Sequence, residues 1–199
     1  MYALVEDDSI TKIINNPKSM IIADVQYPAK IFQLWSSSEL KAIGIYEVVT
    51  DSTNFKDEKW YINTNESFAF ADDQVTRSWG TAIPKEHADK NATDENGDEL
   101  DPVVVIEGLK TKLIRDLKKQ VSNELSKTDW YITRNTEKST AIPSSISTHR
   151  DAVRTKQAEM ETSITNASDT PALETLYTYT EQDDGSVTRP LGELPTLET

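Results

Sequence analysis

Apolar residues recur at helical spacing in two stretches of the second half of the chain. The first stretch has one apolar residue every four positions, at Leu109, Leu113, Leu117, Val121 and Leu125. The second stretch has a similar spacing, at Ile142, Ile146, His149, Val153, Met160 and Ile164. Because residues at this spacing share one face of a helix, the two stripes predict helices over 103–127 and 143–166 that pack as an antiparallel hairpin.

The residues between the two stripes are expected to form the bend of this hairpin. Trp130 and Tyr131 lie there, and an indole is large enough to fill the gap where two helices diverge. Burial at the bend is therefore favoured for both residues over a role as an exposed recognition patch. Pro143 is expected to begin the second helix, because proline is well tolerated at the first helical position.

The first half of the chain has shorter patterns that are typical of strands and tight turns. Residues 1–14 predict a β-hairpin, and a Ser36 N-cap predicts a short helical turn. Residues 59–82 predict an antiparallel hairpin that turns at Asp72-Asp73. We expect the aromatic residues of this second hairpin to form most of an amino-terminal core.

Residues 86–101 have a composition that is typical of a linker. They contain one lysine, Lys90, and seven acidic residues: Glu86, Asp89, Asp94, Glu95, Asp98, Glu99 and Asp101. A segment this polar buries too little apolar area to offset the entropy that is lost on ordering, so we expect it to be extended or mobile unless a neighbour holds it. Asp101-Pro102 is then expected to cap and begin the first long helix.

These patterns together predict an α+β protein with four parts. The parts are a small antiparallel β domain over 1–85, the acidic linker over 86–101, a helical module over 102–176 and a carboxy-terminal hairpin or docking arm over 177–199. The helical module is expected to end in a short third helix that begins near Asp169. The arm has two leucines, Leu191 and Leu194, that a short arm cannot bury alone, so it is either a contact surface or a frayed terminus.

The composition limits what the chain can bind. It has 34 acidic and 21 basic residues and a formal charge of −13, so nucleic acid is not an expected partner. A membrane is not expected either, since no apolar run approaches the roughly 20 residues of a spanning helix. At 36% hydrophobic residues, two modest cores or a core completed by a partner fit better than one large core, which favours a homo-oligomer.

Side chains that could bind metal or perform catalysis do not form a recognised motif. The sequence has no cysteine, and its two histidines, His87 and His149, have no second ligand at helical spacing, whereas zinc needs three or four ligands. The segment 94–105 partly resembles a calcium loop but lacks its glycine and its terminal glutamate. We therefore expect no cofactor, no metal and no enzymatic activity.

Three arginines in the helical module are candidate interaction residues: Arg134, Arg150 and Arg154. They could bind phosphate or carboxylate ligands. Pairing with acidic neighbours such as Glu137 and Asp151 is favoured, because Arg150 and Arg154 lie one helical turn apart. An exposed pair of this kind contributes less than about 1 kcal/mol, so a larger effect of these residues would have to come from packing or from a partner.

Three short motifs carry a resemblance to a known family. They are Thr128-Asp129-Trp130-Tyr131-x-x-Arg134, then Ile142-Pro143, then His149-Arg150-x-x-Val153-Arg154. In this order they resemble the carboxy-terminal module of phage tail-fibre and tail-fibre-assembly proteins, in which tyrosine commonly stands at the position of His149. The opening of the chain, from Met1 to Lys12, is also similar to the start of such proteins.

The resemblance implies a setting and a structural role. We expect a non-enzymatic protein of the bacteriophage tail, in or beside the fibre or baseplate, that docks on other tail subunits. It would be made in the host cytoplasm and would remain in the virion. Two alternatives stay open: a tail-fibre assembly chaperone that is absent from the mature virion, and a head decoration or connector protein.

Overall fold

The structure, a computed structural model, describes residues 1–197 and divides into two compact units. The first unit is Met1–Ile83, and the second begins at Pro84. Most of the strands lie in the first unit and the long helices lie in the second, which confirms the predicted α+β class.

The first unit is built on a five-stranded sheet. The elements of residues 1–84 are, in chain order, β1 (Tyr2–Glu6), β2 (Ser9–Ile14), β3 (Met20–Ile22), β4 (Val25–Tyr27), α1 (Ile31–Leu34), α2 (Ser37–Lys41), β5 (Ile45–Thr50), β6 (Tyr61–Ile62), β7 (Ser67–Ala71), β8 (Gln74–Ser78) and β9 (Ile83–Pro84). The sheet has the strand order β2-β1-β5-β8-β7. The predicted N-cap of α2 is confirmed, since the Ser36 hydroxyl accepts from the Glu39 N–H and the Glu39 carboxylate accepts from the Ser36 N–H.

Three hairpins of this unit turn through two residues that both have positive φ. The turn residues are Asp7-Asp8, Ala23-Asp24 and Asp72-Asp73, with φ between 45° and 64°. Two positive φ angles define a type I′ turn, whose twist matches that of the flanking strands. Aspartate adopts this conformation more readily than most residues do. The predicted hairpins over 1–14 and around Asp72-Asp73 are confirmed, and the β3–β4 hairpin is one that we did not predict.

The sheet has an apolar cluster on each face, because successive residues of a strand point to opposite sides. The larger cluster contains Leu4, Ile14, Ile22, Ile31, Phe32, Leu40 and Ile45, and the smaller contains Ala3, Val5 and Val75. The expectation that the aromatic residues of 59–82 form most of this core is wrong. Trp60 and Tyr61 are buried but belong to neither cluster, Phe70 is partly buried against the smaller one, and aliphatic side chains fill most of the larger one.

One strand pair departs from the predicted antiparallel domain. β5 and β8 are parallel, with Val48 opposite Val75 and Thr50 opposite Arg77. Parallel neighbours need a long crossover connection, and residues 51–73 provide it here. Such a pairing depends on contacts between distant residues, so the local pattern of each strand did not indicate it.

The second unit combines helices with two small β-hairpins. Its elements are, in chain order, β10 (Lys90–Asn91), β11 (Val105–Ile106), α3 (Leu109–Ser126), α4 (Asp129–Lys138), α5 (Ser144–Asn166), α6 (Thr170–Tyr177), β12 (Thr180–Glu181) and β13 (Val187–Thr188). The start of α3 lies beside the end of α5, since Lys110 Nζ donates to the Thr165 carbonyl at 2.8 Å. Leu117 and Val153 are among the buried residues of the two predicted stripes. The antiparallel pair of long helices is therefore confirmed.

The first long helix begins later than predicted. Gly108, not Asp101, is the N-cap residue of α3, and its N–H donates to Asp89 Oδ1 at 2.7 Å. Thr111 Oγ1 donates to the second oxygen of the same carboxylate at 2.8 Å, and these bonds lower the pKa of Asp89. A side chain from 19 residues earlier therefore supplies the cap that we expected from Asp101-Pro102.

The acidic segment is a folded ribbon and not an extended linker. Lys90 pairs with Ile106, Asn91 pairs with Val105, and the ribbon continues through a bridge between Thr93 and Glu99. The condition attached to the expectation for 86–101 is met, because residues 105–106 and the start of α3 are neighbours that hold the segment in place. Hydrogen bonds to the start of α3 and across the ribbon provide the order that apolar burial does not.

The predicted third helix and carboxy-terminal hairpin are confirmed. Asp169 Oδ1 accepts from the Ala172 N–H at 2.8 Å and caps α6, and β12 pairs with β13. Leu191 differs from the expectation of an exposed arm, because it is 2% exposed and its N–H donates to the Leu176 carbonyl at 3.0 Å. Leu194 is partly buried. The end of the arm therefore packs on its own unit.

Gly108→Ala should lower the free energy of unfolding by about 1–3 kcal/mol, since an added Cβ would lie 2.4 Å from the Ala88 carbonyl group. Urea unfolding measures this change. Gly185→Asn is the matched control, because nothing lies within 4 Å of a Cβ there and asparagine tolerates positive φ. Equal stability of the Gly108→Ala variant and the native protein would mean that the acidic ribbon does not pack on the start of α3.

Candidate docking surface

Two of the three family-like motifs, the one that begins at Thr128 and the one that contains Arg150, come together where α3, α4 and α5 meet. Thr128 is the N-cap residue of α4, and the segment that we expected to be a bend is this helix, Asp129–Lys138. Pro143 precedes the first residue of α5 as its N-cap, close to the predicted position. The junction brings Thr128, Asp129 and Arg150 into contact.

Arg150 of α5 forms hydrogen bonds to residues of α3 and α4 and so joins the three helices. Its Nη1 donates to the Leu125 carbonyl at 2.8 Å, to Thr128 Oγ1 at 2.7 Å and to Asp129 Oδ1 at 2.8 Å. The arginine is 8% exposed and Thr128 is 1% exposed, so these bonds form largely out of water. The predicted pairing of Arg150 with an acidic residue is confirmed, but the partner is Asp129 and not Glu137 or Asp151. Its partners belong to the end of α3 and the start of α4.

A second set of buried polar side chains lies at the same, carboxyl-terminal end of α3. Glu124 and His149 are each 8% exposed, and Glu124 Oε1 lies 3.2 Å from His149 Nε2 without the alignment of a hydrogen bond. A hydrogen bond from Lys127 is the main cause that lowers the pKa of the Glu124 carboxyl. We did not predict a role for Glu124, although its position three residues after Val121 and seven after Leu117 places it on the buried face.

Trp130 lies on the surface and not in the bend. It is 51% exposed, and none of the residues Asp129–Lys138 is buried. The expectation of a buried indole is wrong because Thr128 and Arg150 already occupy the junction. Trp130 stands in the first turn of α4, directly after the contacts of Asp129, and is directed outward.

Trp130, Tyr131 and Arg134 form one stack, which we call the α4 patch. The ring centroids of Trp130 and Tyr131 are 3.8 Å apart. Arg134 Cζ lies 4.6 Å from the Trp130 centroid and 5.3 Å from the Tyr131 centroid, within the range of cation–π attraction. Ile132, beside the stack, is 39% exposed. The patch thus combines an aromatic surface with a cation.

Arg134 has no acidic partner within residues 1–197. Its Nε is buried without a hydrogen bond, and the expected neighbour Glu137 does not pair with it. Arg154 behaves as predicted and lies 3.4 Å from Asp151 in an exposed pair. Tryptophan, tyrosine and arginine are the residues most enriched at the energetic centres of protein interfaces. The α4 patch therefore has the composition of a docking surface.

A metal site and a membrane-spanning helix were also considered for the part of the chain that the structure describes. It holds no group of three or more His, Cys, Asp or Glu residues placed to bind a metal ion. No helix within residues 1–197 combines the length and apolarity needed to cross a membrane. Comparisons with protein-family models, with curated proteins and with solved structures find no match for this chain.

Arg150→Met should lower the free energy of unfolding by about 2–4 kcal/mol, because it removes the buried donor that links the Leu125 carbonyl, the Thr128 hydroxyl and the Asp129 carboxylate to α5. Chemical denaturation of the purified protein measures the change. Arg154→Met removes the same group from the same helix at an exposed position and should cost less than about 0.5 kcal/mol. Similar losses for the two variants would contradict the role given to Arg150.

Proposed function

We propose that this chain is a non-enzymatic structural protein of a bacteriophage tail, a component of the fibre or baseplate that holds neighbouring subunits through the α4 patch. The observation that carries the proposal is that α4 has no buried residue and displays Trp130, Tyr131 and Arg134 as one stack. The sequence motifs support the setting, because they resemble those of tail-fibre and tail-fibre-assembly proteins.

The energetics of α4 favour a docking role. Helices shorter than about 12–15 residues are marginal in water unless tertiary packing stabilises them. α4 has 10 residues, none of them buried, and Asp129 in its first turn bonds to Arg150 of α5. A partner that covers Trp130 would bury the remaining half of the indole and would stabilise the helix at the same time.

The charge of Arg134 indicates the chemistry of the partner. An unpaired guanidinium next to an aromatic surface is best matched by a carboxylate, which it can bind through two parallel hydrogen bonds. Other tail subunits could supply this group. A second copy could supply it as well, since the chain has 34 acidic residues, and we therefore include a homo-oligomer in the proposal. The protein would reside in the virion.

The composition of purified phage particles tests the setting. We expect mass spectrometry to find this chain in washed virions, and labelling to place it on the tail. Absence from virions, together with a failure of tail assembly when the gene is disrupted, would identify an assembly chaperone instead. Label on the head would identify a decoration or connector protein. Either result would overturn the proposed place in the tail.

Substitution within the α4 patch tests the docking surface. Trp130→Ala and Arg134→Gln should each weaken association by at least about tenfold, while thermal stability changes little because the side chains contribute little to their own core. Sedimentation of the purified protein measures self-association, and quantitative mass spectrometry of particles measures incorporation. Leu34→Ala is the matched control, since Leu34 is an apolar residue that is 76% exposed in α1. Normal association of both patch variants would overturn the proposal.

A further inference from the structure

A second apolar surface, separate from the α4 patch, lies on the acidic ribbon, which pairs β10 with β11. Four consecutive β-branched residues end the ribbon: Val103, Val104, Val105 and Ile106. Their exposed fractions are 57%, 49%, 54% and 48%. Successive residues of a strand point to opposite faces, so neither face of this strand is covered by its own unit. Isolated exposed apolar residues are ordinary, whereas a continuous run of this kind marks a contact surface.

The strand also has a free edge. Within residues 1–197, β11 pairs with β10 alone. Lys90 is opposite Ile106, and the Ala92 N–H donates to the Val104 carbonyl at 2.7 Å. In an antiparallel pair, the backbone groups of successive residues point alternately toward and away from the partner strand. The N–H and C=O of Val105 therefore point to the open edge, where another strand could pair with them.

The charges of the ribbon select the kind of strand that could pair there. Besides Asp89, which bonds to the start of α3, the ribbon has five carboxylates that lack an ion pair in the described part of the chain: Asp94, Glu95, Asp98, Glu99 and Asp101. Edge-to-edge pairing of two copies would bring two such groups together, and like charges across an interface are unfavourable. A strand flanked by lysine or arginine would instead be attracted to them.

We propose that β11 is a site for β-strand addition and that its occupant is a strand of a different protein, apolar along its length and flanked by basic residues. The added strand would take main-chain hydrogen bonds from Val105 and would cover the exposed valines, while its basic ends would face the carboxylates of the ribbon. This proposal does not depend on the α4 patch or on a place in a phage tail.

A pair of labelled peptides tests the proposal on the full-length protein. Both peptides have the same core of about eight alternating valines and threonines, flanked by lysines in one and by glutamates in the other. Fluorescence anisotropy should show binding of the lysine-flanked peptide that weakens as salt is added, and binding of the glutamate-flanked peptide at least about tenfold weaker. Equal binding of the two peptides, or binding of neither, would overturn the proposal.

Substitutions at Val105 separate strand pairing from simple charge attraction. Val105→Pro removes the N–H at the open edge and leaves the bonds of Val104 and Ile106 to β10 in place, so binding of the lysine-flanked peptide should fall by at least about tenfold. Val105→Asn is a second variant that lowers strand propensity without adding charge, and it should also weaken binding. Val187→Asn is the control, at a residue of β13 that is 60% exposed.

Two results with these variants would overturn the proposal. One is undiminished peptide binding by both folded Val105 variants, which would mean that the carboxylates attract the peptide without strand pairing. The other is a dimer of the native protein that is lost in both Val105 variants, since the occupant would then be a second copy. Circular dichroism of each variant confirms that it is folded before binding is measured.

Discussion

The second unit is organised by one buried cation. Arg150 places a guanidinium at the junction of three helices, where a single nitrogen donates to the Leu125 carbonyl, to the Thr128 hydroxyl and to the Asp129 carboxylate. This contact adds a donor from α5 to the Leu125 carbonyl at the end of α3 and also fixes the start of α4. A buried charge is costly without such partners, which makes the geometry of the junction specific. The outward direction of Trp130 follows from it.

The helical stripes could be predicted from the sequence because their contacts are periodic and local. Leu117 and Val153 fall where a period of 3.6 residues places them, and Asp169 and Ser36 cap the helices that follow them directly. The place of Trp130 could not be predicted in the same way. Its size favoured burial, but the space at the junction was taken by an arginine that lies 20 residues later in the chain.

The difference between local contacts and contacts of distant residues also explains which features of the acidic segment and of the first sheet could be predicted. Asp101-Pro102 has the local form of a helix start, but Asp89 caps α3 from 19 residues away, and composition alone does not indicate such a contact. In the first unit, the paired aspartates of two turns favour type I′ geometry, so those hairpins could be predicted from nearby residues. The parallel pairing of β5 with β8 joins strands that are distant in sequence, and no local pattern specifies it.

The two exposed apolar surfaces of the second unit differ in the sign of the charge beside them. The α4 patch has an unpaired arginine next to its aromatic rings, whereas the exposed valines of residues 103–105 belong to a ribbon that also has unpaired carboxylates. Apolar burial alone would let either surface accept almost any apolar partner, because the hydrophobic effect is not directional. The adjacent charge provides the discrimination: an acidic partner is favoured at Arg134 and repelled at the ribbon, and a basic partner behaves in the opposite way. The two proposed surfaces would therefore allow one small unit to hold two different neighbours without exchanging them.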